Sequence, residues 1–202
     1  MRIGDRLFGS IQSELEQLKT QLELRPTSLD EFEQYKDVKV KQIVKVIDGD
    51  TIRVMLEDHT QVRIRLLMID TPELRPGGQQ LYAMNAMNFV KTKLRQGKEI
   101  TIRRDEQMWD HYHRLLVYLY IDGELIQESL LKAGLARTCD LNGKNNEMVK
   151  RFILWESEAA QSRKKIWGIN GYVLPSRGFN DEMKKKNRRG KRGKKKSSQT
   201  NW

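Results

Sequence analysis

The chain of 202 residues has a single cysteine, Cys139. One thiol excludes an intramolecular disulfide and a cysteine-based zinc site, so a small buried thiol is preferred over a nucleophile, and cysteine usage assigns no redox compartment. The opening residues MRIGDRLFGS carry charge at Arg2, Asp5 and Arg6 and lack the apolar run of a signal peptide. No window approaches the length of a membrane span. As written, the chain is expected to stay in the cytoplasm where it is made; export of a longer precursor stays open. There is no internal repeat. At this length one ordinary domain with extensions buries enough surface to stand alone.

Acids are missing altogether from residues 184 to 196, KKKNRRGKRGKKK, which hold ten Lys or Arg. Those ten account for all but about one unit of the net charge of +11, so the body is nearly neutral and the end is a polycation. A like-charged block with glycines and no apolar residues cannot build a core and is expected to be solvated. A solubility tail, an anionic membrane and a targeting signal are the alternatives. Nucleic acid is preferred, because each Lys or Arg that meets a phosphate releases condensed counterion. Lys184, Lys185, Lys186, Arg188 and Arg189 are the candidate contacts.

What is present divides into three regions. Residues 5 to 24 space Phe8, Ile11, Leu15, Leu18 and Leu22 by threes and fours, the pattern of an amphipathic helix that packs on its own domain or mediates self-association. Pro26 ends it, and Ser28 with Glu31 makes a capping box for a short second helix to about Tyr35. From Val38 the period changes to two. VKVKQIVKVI, TIRVML and QVRIRLLMI read as three strands, joined at Asp48-Gly49 and Asp58-His59. Residues 79 to 96 read as a helix with Leu81, Met84, Ala86, Phe89, Val90 and Leu94 inward. EITIRR and RLLVYLYI add two strands. Helices near 124 to 133 and 145 to 165 follow, the second burying Met148, Phe152, Trp155 and Ala159.

Five short strands with a helix between the third and fourth match the order of an oligonucleotide-binding (OB) barrel. The expected fold is α+β, mainly β: this barrel with three helices over 38–170, a helical extension over 1–37 and a basic flexible tail over 171–202. The third strand ends by delivering Asp70 and Glu73 from a run that is apolar on both faces, and burying an unpaired carboxylate is costly. Asp50 starts the second strand, so an antiparallel hairpin brings Asp50 and Asp70 to one end of the sheet. Simple pairing about the 58–59 turn sets Asp50 opposite roughly residue 67, and curvature or a bulge must supply the rest. Two carboxylates converging with a carbonyl suit a hard divalent cation that takes oxygen ligands. Asp48 reads as an ordinary Asp-Gly turn residue.

VIDGDT, RLLMIDTPE, DHYHR, LVYLYIDG, LIQESLLKAGLA and IWG, in that order over about residues 40 to 168, resemble the staphylococcal nuclease (thermonuclease) family. The resemblance implies a calcium-dependent, sugar-nonspecific endonuclease that cuts DNA and RNA to products ending in a 3′-phosphate. Asp50 and Asp70 would hold one Ca²⁺ with the carbonyl of Thr71. Glu73 would be the general base, Arg65 and Arg114 the clamp on the scissile phosphate, and Tyr112 a phosphate contact. Without the motif, Arg65 would read as a solvated strand-face charge and Glu73 as a loop acid.

The sequence departs from the family at three places. LRPGGQQLY after Glu73 is shorter and poorer in lysine than in the best-known secreted members. His111 and His113 flank Tyr112 where a lysine and a glycine are usual; with no third ligand nearby, phosphate contact or plain exposure is preferred over a transition metal. Cys139, Asp140 and Asn142 occupy the stretch where tyrosines stand near the base, so stacking there is expected to be weaker. The competing class is a noncatalytic nucleic-acid-binding or scaffold module in which the tail does the work.

Overall fold

The structure is a computed structural model that describes residues 37–75, 78–144, 146–174 and 177–183. The three strands expected from period two are present: β1 (Val38–Val46), β2 (Thr51–Leu56) and β3 (Gln61–Leu66). Alternation places Ile52, Val54, Val62, Ile64 and Leu66 in the core, while Arg53 and Arg63 face out. Two short strands, β4 (Ile69–Asp70) and β5 (Leu74–Arg75), follow, and β5 pairs with β6 (Gly78–Gln79). Next come helix α1 (Ala83–Gln96), the long strand β7 (Ile100–Trp109) and β8 (Leu115–Ile121). The chain continues through β9 (Glu124–Leu125), α2 (Ile126–Lys132), β10 (Arg137–Thr138) and α3 (Asn146–Gln161), and ends in β11 (Val173–Leu174) and β12 (Gly178–Phe179).

Strands β3, β2, β1, β7 and β8 form an antiparallel run that closes when β3 pairs in parallel with β8, Ile64 to Leu66 against Leu115 to Val117. Closure removes both sheet edges, and the two register shifts between β1 and β2 supply curvature. Beyond the short parallel pairing, Gln127 of α2 continues the bonding of β8: its amide accepts from Leu119 N–H at 3.2 Å and donates to Val117 C=O at 3.0 Å, a carbonyl that also accepts the Leu67 N–H. Gln127 is fully buried with both ends of its amide used.

Helix α1 covers one end with Ala86, Met87, Val90 and Leu94, and α3 buries Met148, Phe152, Trp155 and Ala159 at the helical spacing expected. A small second core joins Ile166, Tyr172 and Phe179, with Leu81 and Trp167 against it. The architecture is thus the expected five-stranded barrel with three helices.

Three boundaries differ. The helix expected from residue 79 begins at Ala83, because Gly78–Gln79 pairs with β5 and Tyr82 takes a left-handed conformation at the helix start; Met84 consequently faces solvent, 39% exposed. The third strand stops at Leu66 instead of running to residue 69, since Met68 turns the chain at φ +62. Residues 172–174 and 177–183 pack on the domain, where a flexible tail was expected from residue 171: Tyr172 is buried and donates its hydroxyl to Leu81 C=O at 2.6 Å. The expected helices of residues 1–36 and the basic run from Lys184 lie outside the described residues.

Candidate active site

Register brings the two aspartates together. In the β2–β3 hairpin Thr51 stands opposite Arg65, so Asp50, one position earlier, faces the strand's end, and its C=O accepts the Leu66 N–H at 2.9 Å. The turn at Met68 then swings β4 out of the barrel sheet to pair with β10, Asp70 opposite Arg137. This turn is the extra approach that simple hairpin pairing lacked. Thr71 follows directly, and its N–H and Oγ1 donate to Asp50 Oδ2 at 2.9 and 3.1 Å. Gly49 is required by space: a Cβ there would lie 2.7 Å from Ala86 Cβ and 2.8 Å from Thr71 Oγ1.

Arg65 fills the kink. Its Nη1 donates to Leu66 C=O at 3.0 Å and Ile69 C=O at 2.8 Å, lies 3.1 Å from Asp50 Oδ2, and its Nη2 is 3.9 Å from Asp70 Oδ1. One planar fork therefore serves two carbonyls freed by the strand end and faces both carboxylates, an arrangement suited to a guanidinium. On the far side, Arg137 Nε donates to Asp70 Oδ2 at 2.9 Å. No local pattern marks Arg137 as part of the site; only the β4–β10 pairing places it there.

The cluster is rich in negative charge for its depth. Burial first, and then the Asp50 carboxylate, push the Asp70 carboxyl above the usual carboxylate range despite the two arginines. The same two causes push Asp48 up to about 7. Asp48 is the turn residue expected, its carboxylate accepting the Asp50 N–H two residues on at 3.1 Å, and its burial beside Asp50 also adds it to the acidic group. Cys139, expected to be buried, is half-buried on the cleft wall, and desolvation pushes its thiol up to about 12, which disfavours the nucleophilic thiolate.

Arg114 reaches the cluster through one hydroxyl. Its Nη1 is 3.4 Å from Thr51 Oγ1, which donates to Asp50 Oδ1 at 3.0 Å. The guanidinium is fixed from behind by Asp110, with Nε to Oδ2 at 2.7 Å and the Arg114 N–H to Oδ1 at 2.9 Å. Burial raises the Asp110 carboxyl, but these donors outweigh it and hold it below its ordinary value. Tyr112 is exposed, with the Arg114 guanidinium 5.3 Å from its ring and His111 at 3.8 Å between ring centroids. A cleft of about 480 Å³ opens here, lined by Arg65, His111, Arg114, Asp140, Asn142 and Lys144 among others.

Asp50, Thr71 and Arg65 are thus joined by hydrogen bonds and a close ion pair, Asp70 faces the same guanidinium at 3.9 Å, Arg114 is one hydroxyl away, and Tyr112 and His111 share its turn. Glu73 stands differently: its carboxylate pairs with Arg75 and its side chain is 45% exposed. Among the described residues no group of three or more His, Cys, Asp or Glu is arranged to hold a metal ion. Lys184, Lys185, Lys186, Arg188 and Arg189 are outside the described residues.

Known proteins are similar to this chain in sequence. The family model for staphylococcal nuclease homologues matches residues 63–168. The chain is 37% identical over 145 residues to the SPbeta prophage-derived endonuclease YokF of Bacillus subtilis, covering 70% of this chain and 48% of that protein. It is 37% identical over 143 residues to endonuclease YncB of the same organism, 69% of this chain and 66% of that one. Against a thermonuclease of Staphylococcus hyicus it is 34% identical over 128 residues, 62% of this chain and 74% of the relative. The chain spans about half the length of YokF and 66% of that of YncB. With the matched segment running from β3 to the end of the helical region, the chain belongs to the staphylococcal nuclease family.

Proposed function

We propose that this chain is a calcium-dependent, sugar-nonspecific endonuclease that hydrolyses phosphodiester bonds of DNA and RNA and leaves 3′-phosphates. The observation that carries the reading is the single guanidinium of Arg65 facing both Asp50 and Asp70 at the barrel end, with Arg114 one hydroxyl away across the cleft. Relatives that bear the names endonuclease and thermonuclease support the reaction class.

The donor set fits a hard cation. Asp50 and Asp70 offer carboxylate oxygens, Thr71 a main-chain carbonyl, and water completes the shell such ions take. The raised carboxyls of Asp48 and Asp70 report a surplus of buried negative charge that a cation would relieve. When bound, Ca²⁺ would supply a positive charge that polarises the phosphoryl oxygens.

Hydrolysis piles negative charge on a phosphorus centre whose oxygens already repel a nucleophile, so fixed donors aimed at those oxygens lower the barrier most. Arg114, held rigid by Asp110, and Arg65, whose donors turn to phosphate once the aspartates are neutralised, fill this role. Glu73 takes the proton from the attacking water as its oxygen bonds to phosphorus. The bond from phosphorus to the 5′ oxygen breaks, giving a 3′-phosphate and, after protonation, a 5′-hydroxyl. To act so, the Glu73 carboxylate must leave or share its pair with Arg75.

Plasmid nicking with calcium and with excess EDTA tests the reading. Cleavage is expected with calcium only, and Glu73→Gln is expected to reduce it by about a hundredfold or more. Equal cleavage in EDTA would end the calcium claim, and absence of cleavage in both would leave a noncatalytic nucleic-acid-binding module.

A further inference from the structure

Glu73 stands at the base of the β5–β6 hairpin, directly before β5, and the two strands have two residues each. So short a ribbon has little stability of its own and needs support from elsewhere. That support comes from residues beyond the family-matched segment, 172–174 and 177–183, where β11 pairs with β12 to form a strap.

The strap is anchored through Tyr172, 1% exposed, which packs with Phe179 in the small second core around Ile166 and bonds Leu81 C=O at 2.6 Å. Next to Phe179, Gly178, at φ +82, lies so close to the acidic cluster that a Cβ would be 3.3 Å from Asp70 Oδ2. Three residues later Asp181 reaches the Glu73 hairpin. Its Oδ1 accepts from Gln80 Nε2 at 2.9 Å and its Oδ2 from Arg75 Nη1 at 3.4 Å.

Gln80 transmits this contact to Glu73. Its side-chain oxygen accepts the Glu73 N–H at 2.8 Å, and its own N–H donates to Glu73 C=O at 3.0 Å. The amide's orientation is fixed by chemistry: a main-chain N–H can only donate, so Oε1 faces Glu73, and Nε2 is left to face a carboxylate. Gln80 is 5% exposed with both ends used, and losing either partner would strand a buried polar group. Arg75 closes the circle, since it bonds Asp181 and pairs with the Glu73 carboxylate.

We propose that Asp181 is a positioning residue for catalysis: through Gln80 it fixes the main chain of Glu73 and through Arg75 it restrains the Glu73 carboxylate, which makes the C-terminal strap a working part of the site. This rests on the assignment of Glu73 as general base. The alternative for Asp181 is an exposed ion pair of little energetic weight. Because its side chain is 55% exposed, its replacement leaves the core intact and separates the two.

The experiment uses the full chain with Asp181→Ala and Asp181→Asn. In Asp181→Ala, kcat is expected to fall by about tenfold to a hundredfold with KM little changed, since misplacing a catalytic group costs about that much. Its thermal midpoint should fall by no more than a few degrees, the cost of the one donor stranded on Gln80, with cooperative unfolding kept. Hydrogen exchange, read without substrate, should quicken at the Glu73 and Gln80 amides. Asp181→Asn keeps an oxygen for Gln80 and should restore exchange protection and part of kcat. In a Glu73→Gln background, Asp181→Ala should cost nothing further. Unchanged exchange at Glu73 overturns the proposal, as does a parental kcat in Asp181→Ala. Cleavage that ignores Glu73→Gln overturns the general-base assignment instead, and the exchange data tell the two failures apart.

Discussion

Replacing Arg65 with alanine strikes the one group that holds the barrel end and the acidic cluster together. The guanidinium, 15% exposed, bonds the carbonyls of Leu66 and Ile69 and lies 3.1 Å from Asp50 Oδ2. Asp70 is cushioned, because Arg137 stays at 2.9 Å and Arg65 is 3.9 Å away. The loss therefore falls on Asp50, which keeps its three neutral donors from Thr51 and Thr71 but no close cation. Removing one partner of a buried ion pair costs about 3–5 kcal/mol. The two abandoned carbonyls adjoin the cleft, where water can reach them, so they add toward the low end of about 1–3 kcal/mol each. We expect Arg65→Ala to lose about 5–7 kcal/mol in urea unfolding followed by tryptophan fluorescence in EDTA. Two checks follow from the cause. Adding Asp50→Asn should recover part of the loss, because the orphaned charge disappears, and calcium should narrow the gap to the parent. A loss below about 1 kcal/mol in EDTA, within the range of an exposed ion pair, would refute the role given to Arg65.

Asp48→Asn should gain stability relative to the parent as pH rises. A carboxyl whose proton is held more tightly in the folded chain favours folding fully below the ordinary value of 3.8, and this advantage is gone by about 7, so the parent declines across that window while the asparagine variant does not. Paired thermal scans read the difference, which cancels the opposite contributions of Asp58, Asp110 and Asp122, whose carboxyls are lowered on folding; a difference that does not change with pH would count against the shift. Gly49→Ala should cost about 1–3 kcal/mol, because the new methyl meets Ala86 and Thr71 at 2.7 and 2.8 Å, and calcium should protect the variant less than the parent in thermal scans. Deleting residues 184 to 202 removes the ten-charge block and should weaken binding to single-stranded DNA and flatten its dependence on salt; equal salt slopes for the two chains would remove the tail from the account.

Much of the barrel was legible because its strands obey local rules. Ile52, Val54, Val62 and Ile64 alternate with outward polar residues, and Phe152, Trp155 and Ala159 recur on one helical face, so strand, helix and core membership could be read within short windows. The family motifs likewise named Asp50, Asp70, Arg65 and Arg114 before any register was known. Where the reading slipped, a single backbone conformation decided: left-handed Met68 ended β3 early, and left-handed Tyr82 delayed α1. Neither residue type favours that region, so nothing local announced it.

The sequence by itself determined the fold class, the charge separation between body and tail, and the types of group available to the site. Only the tertiary structure decided which groups touch. Arg137 meets Asp70 across 67 residues of chain, and Asp181 meets Gln80 across 101, through pairings of short strands whose own periodicity is too brief to read. A two-residue strand carries no pattern; its partner is chosen by the packing of everything around it, and that choice exists only once the chain has folded.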